Sequence, residues 1–129
     1  MRGYAREVAF SKVYQYLVTG EVEQDFEQFD QTKLDEQDVI FVNALVKNTL
    51  QSKETIDQTI ASLSQNFKLD RICKPDLAVL ELAIAEMTTM DTPKPVVASQ
   101  AVAIAKKYST DKSVSFVNGI LATFIRNNP

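Results

Sequence analysis

The sequence predicts an all-α fold, on three observations. Apolar residues return at three- and four-residue spacing in one window after another. No window alternates with period two for long enough to form a strand. The 129 residues include only three glycines and four prolines, too few for the turns of a β sandwich or barrel. The expected architecture is three helices, a seam and then three or four more, about seven helices in all.

The first helix is expected over 2–19. Ala5, Ala9, Val13, Tyr16 and Leu17 define one apolar stripe, and Val8, Phe10 and Tyr14 a second, so this helix should touch neighbours on two sides. Gly20 ends it. Residues 21–33 are acidic, with Phe26 and Phe29 three apart, a spacing that lets a short helical turn pin the segment to the body. Asp35 is a candidate cap for a second helix facing inward through Val39, Val42, Val46 and Leu50. Ser52 is the candidate cap of a third, with Ile56, Ile60 and Leu63 on one side.

The pattern breaks over 67–75, where Asp70 and Arg71 interleave with Phe67, Leu69 and Ile72. That break is the expected seam within a single domain, dividing subdomains at roughly 1–66 and 67–129. Pro75 then stands at a first-turn position of a long helix that buries Leu77, Leu80, Ile84 and Met87. Pro93 and Pro95 separate it from an alanine-rich helix striped with Val97, Ala101, Ile104 or Ala105, and Tyr108. Asp111 is the candidate cap of the last helix, which buries Val114, Val117, Leu121 and Phe124. Asn118 and Gly119 fall in its middle. A glycine inside a helix costs about 1 kcal/mol relative to alanine. The expected reason is close approach: the last two helices form a hairpin packed through small side chains.

A chain that is 45% hydrophobic and 24% charged is ordinary for a soluble domain able to bury its own core. The single cysteine, Cys73, excludes an intramolecular disulfide and fits a reducing compartment. No N-terminal signal pattern and no apolar run near the ~18 residues of a membrane span is present, so a cytoplasmic location is expected, with no membrane partner. The net charge of −3 is unevenly spread. Residues 21–38 hold eight acids and one base, a local −7, leaving thirteen bases against nine acids, or +4, elsewhere. A negative total therefore does not forbid an anionic partner, because local patches set the field a ligand feels. The acidic run itself reads most simply as a solvated loop.

Catalysis finds little support. Without histidine, the commonest general base, the Ser-His and Cys-His pairs and most transition-metal sites are gone. The three glycines at 3, 20 and 119 make no phosphate loop, and Glu81 and Glu86, five apart, splay around their helix. No cofactor and no metal are expected. Two features suit binding. Arg2 and Arg6 lie one helical turn apart, with Tyr4 and Lys12 nearby. The junction 106–113 combines Lys106, Lys107, Tyr108, Lys112 and the hydroxyls of Ser109, Thr110 and Ser113 at a helix N-terminus, where phosphates bind readily. Phe116, one turn on, is a stacking candidate for single-stranded RNA. From the residues alone, the reading of Phe116 and Tyr108 as core aromatics and the lysines as a solvated rim carries more weight.

Residues 96–108, VVASQAVAIAKKY, followed by 113–121, SVSFVNGIL, resemble the C-terminal signature of the NusB family of bacterial transcription antitermination factors. The segment 80–87, LELAIAEM, resembles that family's leucine-rich helix ending in Glu, and 91–93, DTP, its following turn. AREVA at 5–9 and VYQ at 13–15 resemble its first helix. The resemblance implies two small helical bundles. It also implies a non-enzymatic function: pairing with NusE, a small-subunit ribosomal protein, on boxA-type single-stranded RNA, within the RNA polymerase antitermination complex of ribosomal RNA operons. Carried over by position, it places Arg2, Arg6, Tyr14, Lys112, Ser113 and Phe116 on the RNA side, and Glu86 near NusE; Lys106 and Lys107 join the RNA-binding candidates from the junction itself, and Glu81 joins Glu86 as a candidate partner contact. A homodimer is compatible with it. The departures are the thinned N-terminal arginines, Ser99 and Gln100 for the usual Asn-Glu, Ala103 for an acid and Ala85 for an aromatic. Two other readings share the fold: a protein-interaction module with weak or no RNA binding, and a domain related to the RNA-binding part of ribosomal RNA cytosine methyltransferases. Charge reversal at Arg2 and Arg6 is the discriminating test on this reading.

Overall fold

In a computed structural model the described residues are 1–64 and 68–129. They form six α-helices and no strand: α1 Arg2–Thr19, α2 Glu36–Gln51, α3 Lys53–Leu63, α4 Lys74–Thr89, α5 Lys94–Tyr108 and α6 Asp111–Asn127. The expectation of about seven helices is thus one too high among these residues. Three helices, not four, follow the break at 67–75, and the break itself holds only a short 3₁₀ turn at Leu69–Arg71. Phe67, expected at its start, lies outside the described residues.

The hub is α4. It packs against α1, α2, α3, α5 and α6, and every residue from Asp76 to Met87 is buried. Four expected stripe positions, Leu77, Leu80, Ile84 and Met87, are in the core, but a helix enclosed on all sides has no stripe. Its interleaved Ala78, Ala83 and Ala85 are what allow five helices to approach it.

Around that hub most helix boundaries follow local chemistry. Gly20 takes the left-handed conformation, φ 81°, and its N–H returns to the Tyr16 carbonyl at 2.8 Å, a closure that favours glycine. Asp35 caps α2 in a reciprocal capping box with Asp38. Other details differ from expectation. The buried face of α2 is Phe41, Val42, Leu45, Val46 and Thr49, with Val39 and Leu50 at its edges. Ser52 gives no side-chain cap to α3, because α2 ends on the same residue. Thr110, not Asp111, caps α6, accepting the Ser113 N–H. Ile120 joins Val117, Leu121 and Phe124 in the core while Val114 is half-buried.

The helices α5 and α6 do pack as a hairpin, but Gly119 is not the reason. Asn118 and Gly119 are exposed, and a Cβ added at Gly119 would meet nothing within 4 Å. The buried small residues of α5 are Ala101 and Ala105, and Ala101 faces α1 and α4 beside Arg6, Ala83 and Glu86.

The acidic segment is docked along α1. Buried Lys12, 3% exposed, reaches the carbonyls of Glu23 and Asp25 at 2.5 and 2.8 Å. Its ammonium also lies 4.6 Å from the Phe26 ring centre and 5.8 Å from that of Phe29. The Asp30 N–H donates to the Tyr4 hydroxyl at 2.8 Å. The Phe26–Phe29 pair therefore pins the segment as expected, through a lysine as much as through burial.

Candidate nucleic-acid interface

The N-terminal arginines are structural. Arg6 is 8% exposed and Glu86 1%. Arg6 Nε and an Nη donate to the two carboxylate oxygens of Glu86 at 2.9 and 2.6 Å, and the guanidinium lies 5.3 Å from the Phe41 ring centre. This bidentate pair clamps α1 to α4 beneath α2. Expecting Arg6 at RNA and Glu86 at a protein partner is therefore corrected: each satisfies the other inside the core. Arg2 is half-exposed, but its Nε donates to buried Asp38 at 3.0 Å and its guanidinium covers Phe41 at 4.4 Å.

Glu81 is likewise no surface contact. It is fully buried, facing Lys53 Nζ at 3.1 Å, and Lys53 also holds Asp57 at 2.5 Å. Burial first, then the neighbouring Asp57 carboxyl, pushes the Glu81 pKa up to about 8 against the pull of Lys53. Two carboxyls facing one ammonium, with both Glu81 oxygens receiving no hydrogen bond, tie α3 to the hub.

The surface that remains is built where α5 ends and α6 begins. Along α1, Tyr14 is 37% exposed and its ring stacks 6.2 Å from that of Phe10. Phe10 is buried and touches the ring of Tyr108, 44% exposed, at 5.3 Å. Buried Phe10 thus props two accessible tyrosines from beneath. Beside them Glu7 Oε1 accepts from Tyr108 Oη at 2.6 Å and from Lys107 Nζ at 2.8 Å. Lys107 is therefore paired, whereas Lys106 is exposed and makes no ion pair among the described residues.

The corner itself is a closed hydroxyl network. Ser109 Oγ lies 2.8 Å from both Asp76 Oδ1 and Ser113 Oγ, and Ser113 Oγ is 3.0 Å from Thr110 Oγ1. Ser113, buried, is committed to this network, which corrects the expectation of a free phosphate ligand there. Next to it opens a cavity of about 290 Å³ lined by Arg71, Ile72, Cys73, Asp76, Lys112, Ser113 and Phe116. Phe116 is half-buried in this wall, not the exposed stacking platform expected of it. Lys112 is exposed on the rim. The acidic segment does not cover this corner: its contacts run to Lys12 and Tyr4 on α1.

Sequence reasoning missed Glu7, Arg71 and Lys74. Only the proximity of Lys107 and Tyr108 to an acid one hundred positions away assigns Glu7 to the surface, and no local pattern carries that.

Residues 4–126 match the model of the NusB family. The transcription antitermination protein NusB of Acetivibrio thermocellus is 39% identical over 131 residues, covering 97% of this chain and 88% of that protein. That of Clostridium novyi is 34% identical over 130 residues, covering 97% and 98%. Among solved structures, T. maritima NusB superposes with a TM-score of 0.85 at 28% identity, over 98% of this chain and 91% of that one. A crystal structure of the antitermination factors NusB and NusE in complex with double-stranded RNA gives 0.85 at 25% identity, over 98% and 96%. No described helix is long and apolar enough to cross a membrane. With five helices around a buried α4 and near full-length matches to antitermination proteins, this chain belongs to the NusB family.

Proposed function

We propose that this chain is a cytoplasmic antitermination factor that binds boxA-type single-stranded RNA jointly with NusE, through the face running from Tyr14 across Tyr108 to Lys112. One observation carries the placement. Arg71, Lys74, Lys106 and Lys112 make no ion pair or side-chain hydrogen bond among the described residues; Arg71 and Lys112 line one cavity, Lys74 opens α4 and Lys106 lies in the last turn of α5. Beside them stand the two propped tyrosines. Exposed rings supply stacking for unpaired bases and the lysines supply phosphate contacts.

The related NusB–NusE–RNA assembly supports a shared surface, with NusE completing what one protein presents only in part. The apolar wall of the cavity, Ile72 and Phe116, suits a protein edge better than a charged strand. Such a complex would act on RNA polymerase during transcription of ribosomal RNA operons. The division near 67 into two subdomains belongs to this reading as well: α1 to α3 form one side of α4, and α5 and α6 the other.

The test is a titration of labelled single-stranded RNA, with and without NusE, at two salt concentrations. Binding should tighten with NusE and weaken with salt. Lys106→Glu and Lys112→Glu should each flatten the salt dependence, by about 0.7 in log–log slope per lost phosphate contact on a single strand. Equal affinity for a scrambled RNA, or a preference for duplex over single strand, would overturn the reading.

A further inference from the structure

Glu7 stands in the middle of the proposed RNA face, where a carboxylate repels phosphate. Its geometry gives that charge a use. Oε1 takes both protein donors, Lys107 Nζ at 2.8 Å and Tyr108 Oη at 2.6 Å. Oε2 accepts from no described residue and is not among the sealed, unpartnered oxygens, so solvent reaches it. The side chain is pinned on three sides. Its backbone lies in α1, its Oε1 is held by two donors from α5, and the Tyr108 ring is fixed in turn by buried Phe10 at 5.3 Å. Burial raises the carboxyl's pKa, but the hydrogen bonds from Lys107 and Tyr108 and the charge of Lys107 outweigh it, so the group sits below its ordinary value of 4.5 and is ionised at neutral pH.

We infer that Glu7 is a specificity-determining residue: its free Oε2 accepts a hydrogen bond from the exocyclic amino group of an adenine or cytosine stacked on Tyr108. This rests on the RNA reading of the face above. An ionised carboxylate accepts only. It therefore favours base edges that carry an amino donor and opposes uracil, whose corresponding position is a carbonyl oxygen. Acidic side chains accepting from cytosine N4 are an established pairing. Lys107 has the complementary part: it cancels the charge of Glu7 toward the phosphate backbone and leaves the outward oxygen to be read by a base.

The experiment uses the full chain with NusE and a boxA-type single-stranded RNA in which one base at a time loses its amino group, adenine to purine or cytosine to 2-pyrimidinone. Competition binding should show one position at which this deletion costs about tenfold in affinity, as expected for a direct base contact. In Glu7→Gln, whose amide still accepts from Tyr108 while offering a donor outward, that penalty should fall to within about twofold, with thermal unfolding reporting whether the variant is folded. In Lys107→Met the penalty should persist, although total affinity drops. A Glu7→Gln protein that keeps the full penalty, a Lys107→Met protein that loses it, or a wild type indifferent to every deletion overturns the inference. Failure of the face itself shows differently: Tyr14→Ala and Lys112→Glu would then leave RNA affinity unchanged.

Discussion

Removing one member of the Arg6–Glu86 pair should be the most damaging single charge change in this protein. Both oxygens of Glu86 are taken by one guanidinium, at 2.9 and 2.6 Å, and Glu86 is 1% exposed. Arg6→Met leaves a bare carboxylate at the junction of α1 and α4, far from water. Breaking a buried pair from one side costs roughly 3–5 kcal/mol, whereas replacing both members by apolar side chains of similar volume is often neutral or stabilising. For a domain this size the single change corresponds to a fall in Tm of roughly 10–20 °C. The assay is urea unfolding of Arg6→Met, Glu86→Leu and the double variant, followed by RNA titration of whichever folds. Each single change should be strongly destabilising, the first more so. The double should recover most of the loss and bind RNA within about twofold of wild type, since Arg6 presents nothing to a ligand. A double variant as unstable as the worse single would refute the clamp. A folded double that loses RNA binding would return Arg6 to the interface.

Three further outcomes follow from the same geometry. Glu81 has a folded pKa of about 8, above its ordinary 4.5, so its contribution is fully present below the ordinary value and is lost as pH rises through the folded one. Glu81→Gln should therefore gain on wild type between pH 5 and 8, at a slope of up to about 1.4 kcal/mol per pH unit, and a pH-independent difference in urea midpoints would contradict this. Gly119→Ala, with open space around the added methyl, should stabilise by about 0.5–1 kcal/mol; a loss of Tm would restore the close-approach reading. Lys12→Met should cost about 1–3 kcal/mol by orphaning the Glu23 and Asp25 carbonyls, and should speed amide hydrogen exchange over 23–30, whereas unchanged exchange there would show that the latch holds nothing.

Local rules made the helices legible, and their limits explain the rest. Gly20 and the Asp35–Asp38 capping box are written in a few adjacent residues, so both ends could be placed from the sequence. The site depended on pairings that spacing cannot express. Arg6 and Glu86 lie eighty positions apart, and nothing local distinguishes an arginine bound for the core from one bound for a phosphate. Gly119 shows the converse failure. An interior glycine signals either close packing or an exposed, unconstrained position, and only the neighbouring helix's location decides between them. For α4 the four-residue stripe was real but incomplete, because periodicity marks a boundary between core and solvent and α4 has none.

The distribution of cations is what joins the fold to the function. Of fourteen lysines and arginines, Arg2, Arg6, Lys12, Lys33, Lys53, Lys94, Lys107 and Arg126 are engaged by carboxylates, carbonyls or a hydroxyl among the described residues. Their charge is spent on holding helices and the acidic segment in place. Six remain, Lys47, Lys68, Arg71, Lys74, Lys106 and Lys112, and of these Arg71 and Lys112 line the cavity at the α6 start, with Lys74 opening α4 and Lys106 in the last turn of α5. Charges separated by more than about 8 Å are largely screened at physiological salt, so a strand approaching that end meets these unpaired cations together with the nearby Asp70, Asp76 and Asp111, not the net −3 of the whole chain. Pinning the acidic segment on Lys12 keeps most of the negative charge along a different stretch of α1. The same lysine that anchors that segment thus helps to keep its carboxylates off the α5–α6 corner, which is why its loss should lower the affinity of RNA binding and flatten its salt dependence without removing a single RNA contact.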